Sequence, residues 1–300
     1  MEILVVVVRY KTLLEESRTM NSLARAFRTP SVLLGAIQVL VWDNSPEALR
    51  EVPNIFPCEY IHSKRNRGVS GAYNEAMKMA ERMHCDWLLL LDQDTIVPAG
   101  FINRMLEYSR AFKEDIDIAA VIPTVWVDSR YVSPRRVCFN RSKAFDPSFS
   151  GVPEVECTAA NSGVLMRVSA LQEIGGYSED FSLDFSDMYV FHQLYRKGKK
   201  VWIADDLKLD HRMTIFEYDG DLTPERYLHF MEAEDAFISN YKSTSENIVQ
   251  SLRLLARSLK QYYRYSNRAY ARISLRFFWR RLLYSKSARA RVWKANRLAP

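Results

Sequence analysis

Four consecutive leucines, Leu88 to Leu91, preceded by Trp87 and followed by Asp92-Gln93-Asp94, constrain this chain more than any other feature. A strand turns alternate side chains to opposite faces, so an unbroken apolar run of strand length must be covered on both. A parallel sheet sandwiched between helices provides that cover. Ile3 to Val8 is another such run, and further strands are predicted at Ala36 to Trp42 and Tyr60 to His62, separated by helical patterns reaching about Phe27 and running from about Gly71 to Met83. The expected fold class is therefore α/β with a mostly parallel central sheet. Ile118 to Val125, Gly163 to Arg167 and Lys200 to Ile203 read as later strands. Residues 128–154, rich in Ser, Pro and Arg, read as an irregular loop that could cover a site, and helices are expected over most of 224–285. Thr12-Leu13-Leu14-Glu15 and Ser169-Ala170-Leu171-Gln172 match the helix-opening capping box, while Gly175-Gly176 and Gly198 read as helix ends.

With 300 residues, 48% of them hydrophobic, the chain has ample material for a core. Cys58, Cys85, Cys138 and Cys157 lack metal-ligand spacing or a disulfide pattern, which suits a reducing compartment. The N-terminus enters its first apolar run without a basic leader region, and no apolar run approaches the roughly 18 residues of a membrane span. Net charge +6 conceals an asymmetry: residues 251–300 hold 14 Lys/Arg and no acid, leaving the first 250 with 28 basic and 36 acidic residues.

Ligands of open α/β sheets sit beyond the carboxyl ends of the strands, where this chain places Asp43-Asn44, Asn66 to Gly71, and Asp92-Gln93-Asp94. Asp92 and Asp94 lie one residue apart at the end of a buried strand, an arrangement suited to a hard divalent cation on diphosphate oxygens. Asp43 could accept hydrogen bonds from a nucleotide's base or ribose. Asn66-Arg67-Gly68 opens a helix whose N-terminal dipole favours diphosphate. No P-loop, G-x-G-x-x-G fingerprint or EF-hand pattern is present, which removes the main support for ATPase, dinucleotide and calcium-sensor readings.

In order and spacing, Trp42-Asp43-Asn44-Ser45, Asn66-x-Gly68-x-x-x-Ala72-x-Asn74, Leu91-Asp92-Gln93-Asp94-Thr95, Asn161-Ser162-Gly163, Gly175-Gly176-Tyr177, Asp184-x-x-Asp187 and Asp210-His211 resemble the family 2 glycosyltransferases of GT-A fold over residues 3–212. The Leu-Asp-Gln-Asp-Thr form is similar to the bacterial rhamnosyltransferase branch, with galactofuranosyltransferases close by. This resemblance implies a GT-A catalytic domain over 1–215, with a donor-nucleotide half at 1–125 and an acceptor half at 155–215, followed by a helical region at 216–300 that is basic from 251. It implies an inverting transfer from a nucleotide-diphosphate sugar to a glycan or polyprenyl-linked acceptor, with Mn2+ or Mg2+ as cofactor, in surface polysaccharide synthesis. Asp43, Asn66, Gly68, Asn74 and Asp92 would bind the donor, and Asp92, Asp94 and His211 the metal. Asp187 would be the general base, with Asp184 as the alternative. The sequence departs from the family pattern at Arg9-Tyr10-Lys11, where a small polar residue and Asn are frequent, at Met188-Tyr189, and at Gln193 in place of Arg.

Arg253, Arg257, Lys260, Arg264, Arg268, Arg272, Arg276 and Arg280 recur every three or four residues, and Leu252, Leu255, Leu259, Ile273, Phe277, Phe278 and Trp279 add apolar surface. A basic amphipathic helix with aromatics predicts contact with an anionic membrane, placing the protein in the cytoplasm at the inner face of the plasma membrane. A nucleic-acid-binding protein using the basic tail and a sugar nucleotidyltransferase are the alternatives. Against the first stands the acidic body, and against the second the absence of a Gly-rich, Arg-bearing loop after the first strand.

Overall fold

The computed structural model describes residues 1–27, 34–52, 55–211 and 222–298; the side chains of 34, 211 and 294–298 lie outside that description. In chain order the elements begin with β1 (Ile3–Arg9), α1 (Arg18–Phe27), β2 (Ile37–Asp43), β3 (Glu59–His62), α2 (Gly68–Arg82), β4 (Trp87–Asp92), β5 (Thr95–Ile96), α3 (Phe101–Ala111) and β6 (Ile118–Val127). Next come β7 (Arg130–Ser133), β8 (Arg135–Cys138), β9 (Arg141–Ala144), β10 (Cys157–Thr158), β11 (Leu165–Arg167), α4 (Val168–Glu173), α5 (Ser186–Arg196) and β12 (Lys200–His211). The chain closes with α6 (Pro224–Tyr241), α7 (Thr244–Arg264), α8 (Ala269–Leu283) and α9 (Lys286–Leu298). Two compact units result, Met1–Val137 with Ser142–Arg212, and Cys138–Arg141 with Met213–Pro300.

In the first unit the main sheet runs β3-β2-β1-β4-β11-β6-β12-β5, with β7 on β6. It is parallel through β3, β2, β1 and β4 and again between β6 and β12, while β11 lies antiparallel between β4 and β6. Both faces are covered, as the leucine run requires. Leu4, Val6, Val8, Leu88 and Leu90 pack with α2, α4 and α5, whereas Ile3, Val5, Val7, Trp87, Leu89 and Leu91 pack with α1 and α3. The order reverses at β1, which has β2 on one side and β4 on the other, and this is where an open α/β sheet forms a crevice at its carboxyl edge.

Several predicted elements are corrected. Thr12 does not cap a helix: Leu14–Glu16 forms a single 3-10 turn, the Thr12 carbonyl accepts from Arg9 Nε (2.6 Å), and α1 starts after Ser17, whose Oγ accepts from the Met20 amide (3.2 Å). Ser169 lies inside α4 and caps nothing; the N-cap position is taken by Arg167, whose guanidinium goes to the carbonyls of Phe112, Lys113, Asp115 and Ile118. The expected loop at 128–154 contains β7, β8 and β9. Its turns at Asp128-Ser129 and Phe139-Asn140 hold both residues at positive φ without the usual glycine, which hid them from sequence reasoning. Gly175, Gly176 and Gly198 do adopt positive φ.

The second unit has its own core of Leu222, Tyr227, Met231, Leu254, Tyr270 and Phe277. Pro224 follows the Thr223 N-cap of α6, and Ser243 with Glu246 forms a reciprocal capping box on α7. The basic segment is not one continuous stripe, since α7 ends before Tyr265 and α8 before Tyr284. Arg257 pairs with Glu234 through two 2.8 Å bonds, and Arg280 and Arg281 pair with the buried Asp235, so part of the basic charge is internal.

Candidate active site

Register at the crevice follows from β1. Arg9 stands beside Asp43 on β2, and Val8 beside Asp92 on β4. Asp43 is fully buried, with its carboxylate accepting from Arg9 Nη1, from Tyr60 Oη (2.5 Å) and from the Ser45 amide (2.9 Å). Burial alone would raise its pKa, but the Ser45 and Tyr60 hydrogen bonds and the Arg9 charge outweigh it and hold the group below the ordinary carboxylate value.

The Asp92-Gln93-Asp94 segment is pinned from three directions. Ser162 Oγ accepts from the Asp92 amide (3.0 Å) and shares a hydrogen with Thr95 Oγ1 (2.6 Å). Thr19 Oγ1 donates to the Thr95 carbonyl (2.9 Å), and Ser17 Oγ to that of Gln93 (2.8 Å). Gln93 Oε1 accepts from the Tyr10 amide (2.8 Å), tying the turn to the end of β1. Both aspartates are thus held half-buried at the crevice.

Tyr73 on α2 donates to Asp92 Oδ1 (3.1 Å), and its ring lies 5.1 Å from that of Tyr177. Tyr177 Oη donates to Asn161 Oδ1 (3.1 Å), whose Nδ2 reaches Ser186 Oγ (3.0 Å) beside Asp187. Burial raises both tyrosines well above their usual pKa, with Asp92 adding to Tyr73 and Asp187 and Asp92 to Tyr177. Asp187 itself is pushed up to about 6, first by burial, then by the charges of Asp184 and Asp92, against a hydrogen bond from the Met188 amide. It lies in the first turn of α5, whose N-cap position is Phe185, and burial outweighs the helix dipole, which favours the ionised form.

The second helix entrance is built by close approach. Asn66 Oδ1 accepts from the Gly68 amide (2.8 Å), and Asn44 Nδ2 donates to the Gly68 carbonyl (2.9 Å). A Cβ on Gly68, at φ 68°, would lie 2.1 Å from the Ser182 carbonyl oxygen. Asn74 accepts from the Tyr177 amide and donates to its carbonyl, both at 2.8 Å, so its amide clasps the stretch leading to α5. Asp210 and His211 pair in register with Ile96 and Thr95, next to the Asp94 turn, but the His211 side chain lies outside the described residues. Tyr73 was missed from the sequence, since a buried Tyr within a helix carries no sign that separates it from core, and the contacts of Arg9 and Tyr60 with Asp43 and of Tyr177 with Asn161 were missed because those partners lie 16 or more residues away.

Residues 19–175, just over half the chain, match Glycosyl transferase family 2. The chain belongs to that family. No curated protein matches it by sequence. Similar solved structures include S. aureus TarS (15% identity over 93% of this chain and 54% of that one, TM-score 0.47). TarS 1-349 is similar at 15% identity over 92% and 91% (TM-score 0.51), and TarS 1-349 with UDP-GlcNAc at 16% over 88% and 73% (TM-score 0.50). This family 2 chain thus spans about half the length of the first TarS structure. The fold is GT-A-like. Among the described residues of this glycosyltransferase-family chain, three or more potential metal-ligating side chains do not cluster, and no helix is long and apolar enough to cross a membrane.

Proposed function

We propose that this chain transfers a sugar, with inversion, from a nucleotide-diphosphate donor to a hydroxyl of a glycan or polyprenyl-linked acceptor. The observation that carries this reading is the joining of Asp92 to Asp187 through Tyr73, Tyr177, Asn161 and Ser186, at the carboxyl edge where β1 separates β2 from β4. Asp187 takes the acceptor proton: at neutral pH a carboxyl titrating near 6 is mostly ionised yet more basic than an ordinary aspartate. Asp184 is the alternative base and in either case raises Asp187 by its charge. Asp43, held by Arg9 and Tyr60, anchors the nucleoside end, with Asn66 and Gly68 at the diphosphate end and Asn74 positioning the Tyr177 strap.

Asp92 and Asp94 would hold Mg2+ or Mn2+, with His211 as a further ligand. The carboxylate oxygens of Asp92 and Asp94, in a buried region whose negative charge adds to the raised pKa of Tyr73, Tyr177 and Asp187, fit a hard divalent cation. Bound there, the ion would offset charge on the departing diphosphate. The Leu91-Asp92-Gln93-Asp94-Thr95 resemblance favours rhamnose or galactofuranose, while the UDP-GlcNAc of the TarS structure adds that donor to the set to be tested. Residues 251–300 would meet an anionic membrane carrying the acceptor.

The test is a panel of nucleotide sugars assayed for transfer and slow donor hydrolysis with and without each metal. Asp94→Ala should lower turnover at least ~100-fold while the protein stays folded. Full activity in excess chelator would remove the metal from the reading, and release of pyrophosphate instead of nucleoside diphosphate would favour a nucleotidyltransferase.

A further inference from the structure

Helix α7 is amphipathic the wrong way round for a helix packed in water. Its buried side is polar, made of Asn247, Gln250, Ser258 and Gln261 around the single apolar Leu254. Asn247, Ser258 and Gln261 are knitted into the bundle. Asn247 Nδ2 donates to the carbonyls of Ile238 (2.9 Å) and Lys242 (3.2 Å), and its Oδ1 accepts from Arg281 (2.8 Å) and Arg289 (3.1 Å). Gln261 donates to Tyr227 Oη (2.8 Å) and accepts from Ser274 (2.7 Å), and Ser258 donates to the Ala271 carbonyl (2.8 Å). Such specific partners prevent the helix from rolling over.

A second side carries exposed Ile248, Leu252, Leu259 and Tyr262, with half-buried Leu255 among them, at alternating spacings of four and three, one continuous seam, with Tyr263 beside it. Leu252 is 64% exposed and Tyr263 82%. Exposed apolar surface of this regularity marks a contact face. Charge selects the occupant. Lys260 and Arg264 are exposed on the other faces of α7, exposed Arg268, Arg272 and Arg276 follow, and no acid occurs after Glu246. A second copy would set these cations against one another, whereas an anionic lipid surface complements them. Tyr262 and Tyr263 on the seam, with exposed Trp279 and Tyr284 on and after α8, are the aromatic types that settle at a lipid–water boundary.

We infer that α7 inserts this seam, Ile248 to Tyr263, into an anionic membrane surface, so that apolar burial and charge together hold the protein there. The inference rests on the membrane reading above and deepens it, because Arg257, Arg280 and Arg281 are engaged by Glu234 and Asp235 and the apolar seam starts before residue 251.

The test uses the full chain with phosphatidylcholine vesicles made with and without phosphatidylglycerol, in low and high salt. The wild type should sediment with the anionic vesicles and keep part of its binding in high salt. A Leu252→Gln, Leu259→Gln double variant, with an unchanged melting curve, should bind at least ~10-fold more weakly. Equal binding by the variant would overturn the seam while leaving the membrane reading in place. Absence of binding by the wild type to any vesicle would remove both. A wild-type dimer that the double variant dissociates would assign the seam to a second copy and overturn the inference.

Discussion

Asp187 is raised by burial and by the charges of Asp184 and Asp92, and two measurements follow from the sign of that shift. A base must be ionised, so kcat/KM should fall on the acid side with a midpoint near pH 6, and Asp184→Asn should move that limb to lower pH by removing one like charge. Asp187→Asn should lose roughly 10²–10⁴ in turnover with donor affinity retained. A carboxyl raised in the folded state contributes stability below its unfolded value near 3.8 and loses it as pH rises through about 6. Melting of Asp187→Asn should accordingly exceed that of the wild type above pH 6 and match it in strong acid. Near-normal turnover in Asp187→Asn would leave Asp184 as the base. Asp43, Asp92 and Asp94 were legible because they follow strands and Asp184 and Asp187 through the family resemblance, but the state of Asp187 was not, since its neighbours come from α5, β4 and the preceding turn.

At the scale of elements, the crevice depends on α2 touching the turn ahead of α5. Gly68 combines φ 68° with a backbone approach that leaves no room for a Cβ, and Ser70 Oγ donates to the Phe181 carbonyl (2.5 Å) at the same junction. Gly68→Ala should destabilise by about 1–3 kcal/mol from backbone strain alone and displace the Ser182 turn, raising KM for donor more than it lowers Tm. Unchanged donor affinity would show that the junction does not support the site. Strand and helix identities were mostly readable from periodicity, yet their edges were not. Ser17 rather than Thr12 caps α1, its Oγ accepting from the Met20 amide after the 3-10 turn at Leu14–Glu16, and no local pattern announces that.

For the whole molecule, the charge asymmetry seen in the sequence divides into two kinds of charge. Asp235 is buried among Arg280, Arg281 and Arg289, so Asp235→Ala would leave guanidiniums without their anion and should destabilise the helical unit by about 3–5 kcal/mol, read as a lowered melting transition. An unchanged transition would mean that water already screens these arginines. By itself the sequence determined a helix-covered, largely parallel sheet with two aspartates at the end of its leucine strand, because strand alternation and apolar burial are local rules that every residue obeys in place. Tertiary structure alone decided which arginines are internal, that Asp43 is enclosed by Arg9 and Tyr60, and that α7 turns its polar side inward. Each of these depends on partners tens of residues away, and a charge or a leucine has the same identity in the sequence whether its partner is a buried carboxylate, a helix or the surrounding solvent.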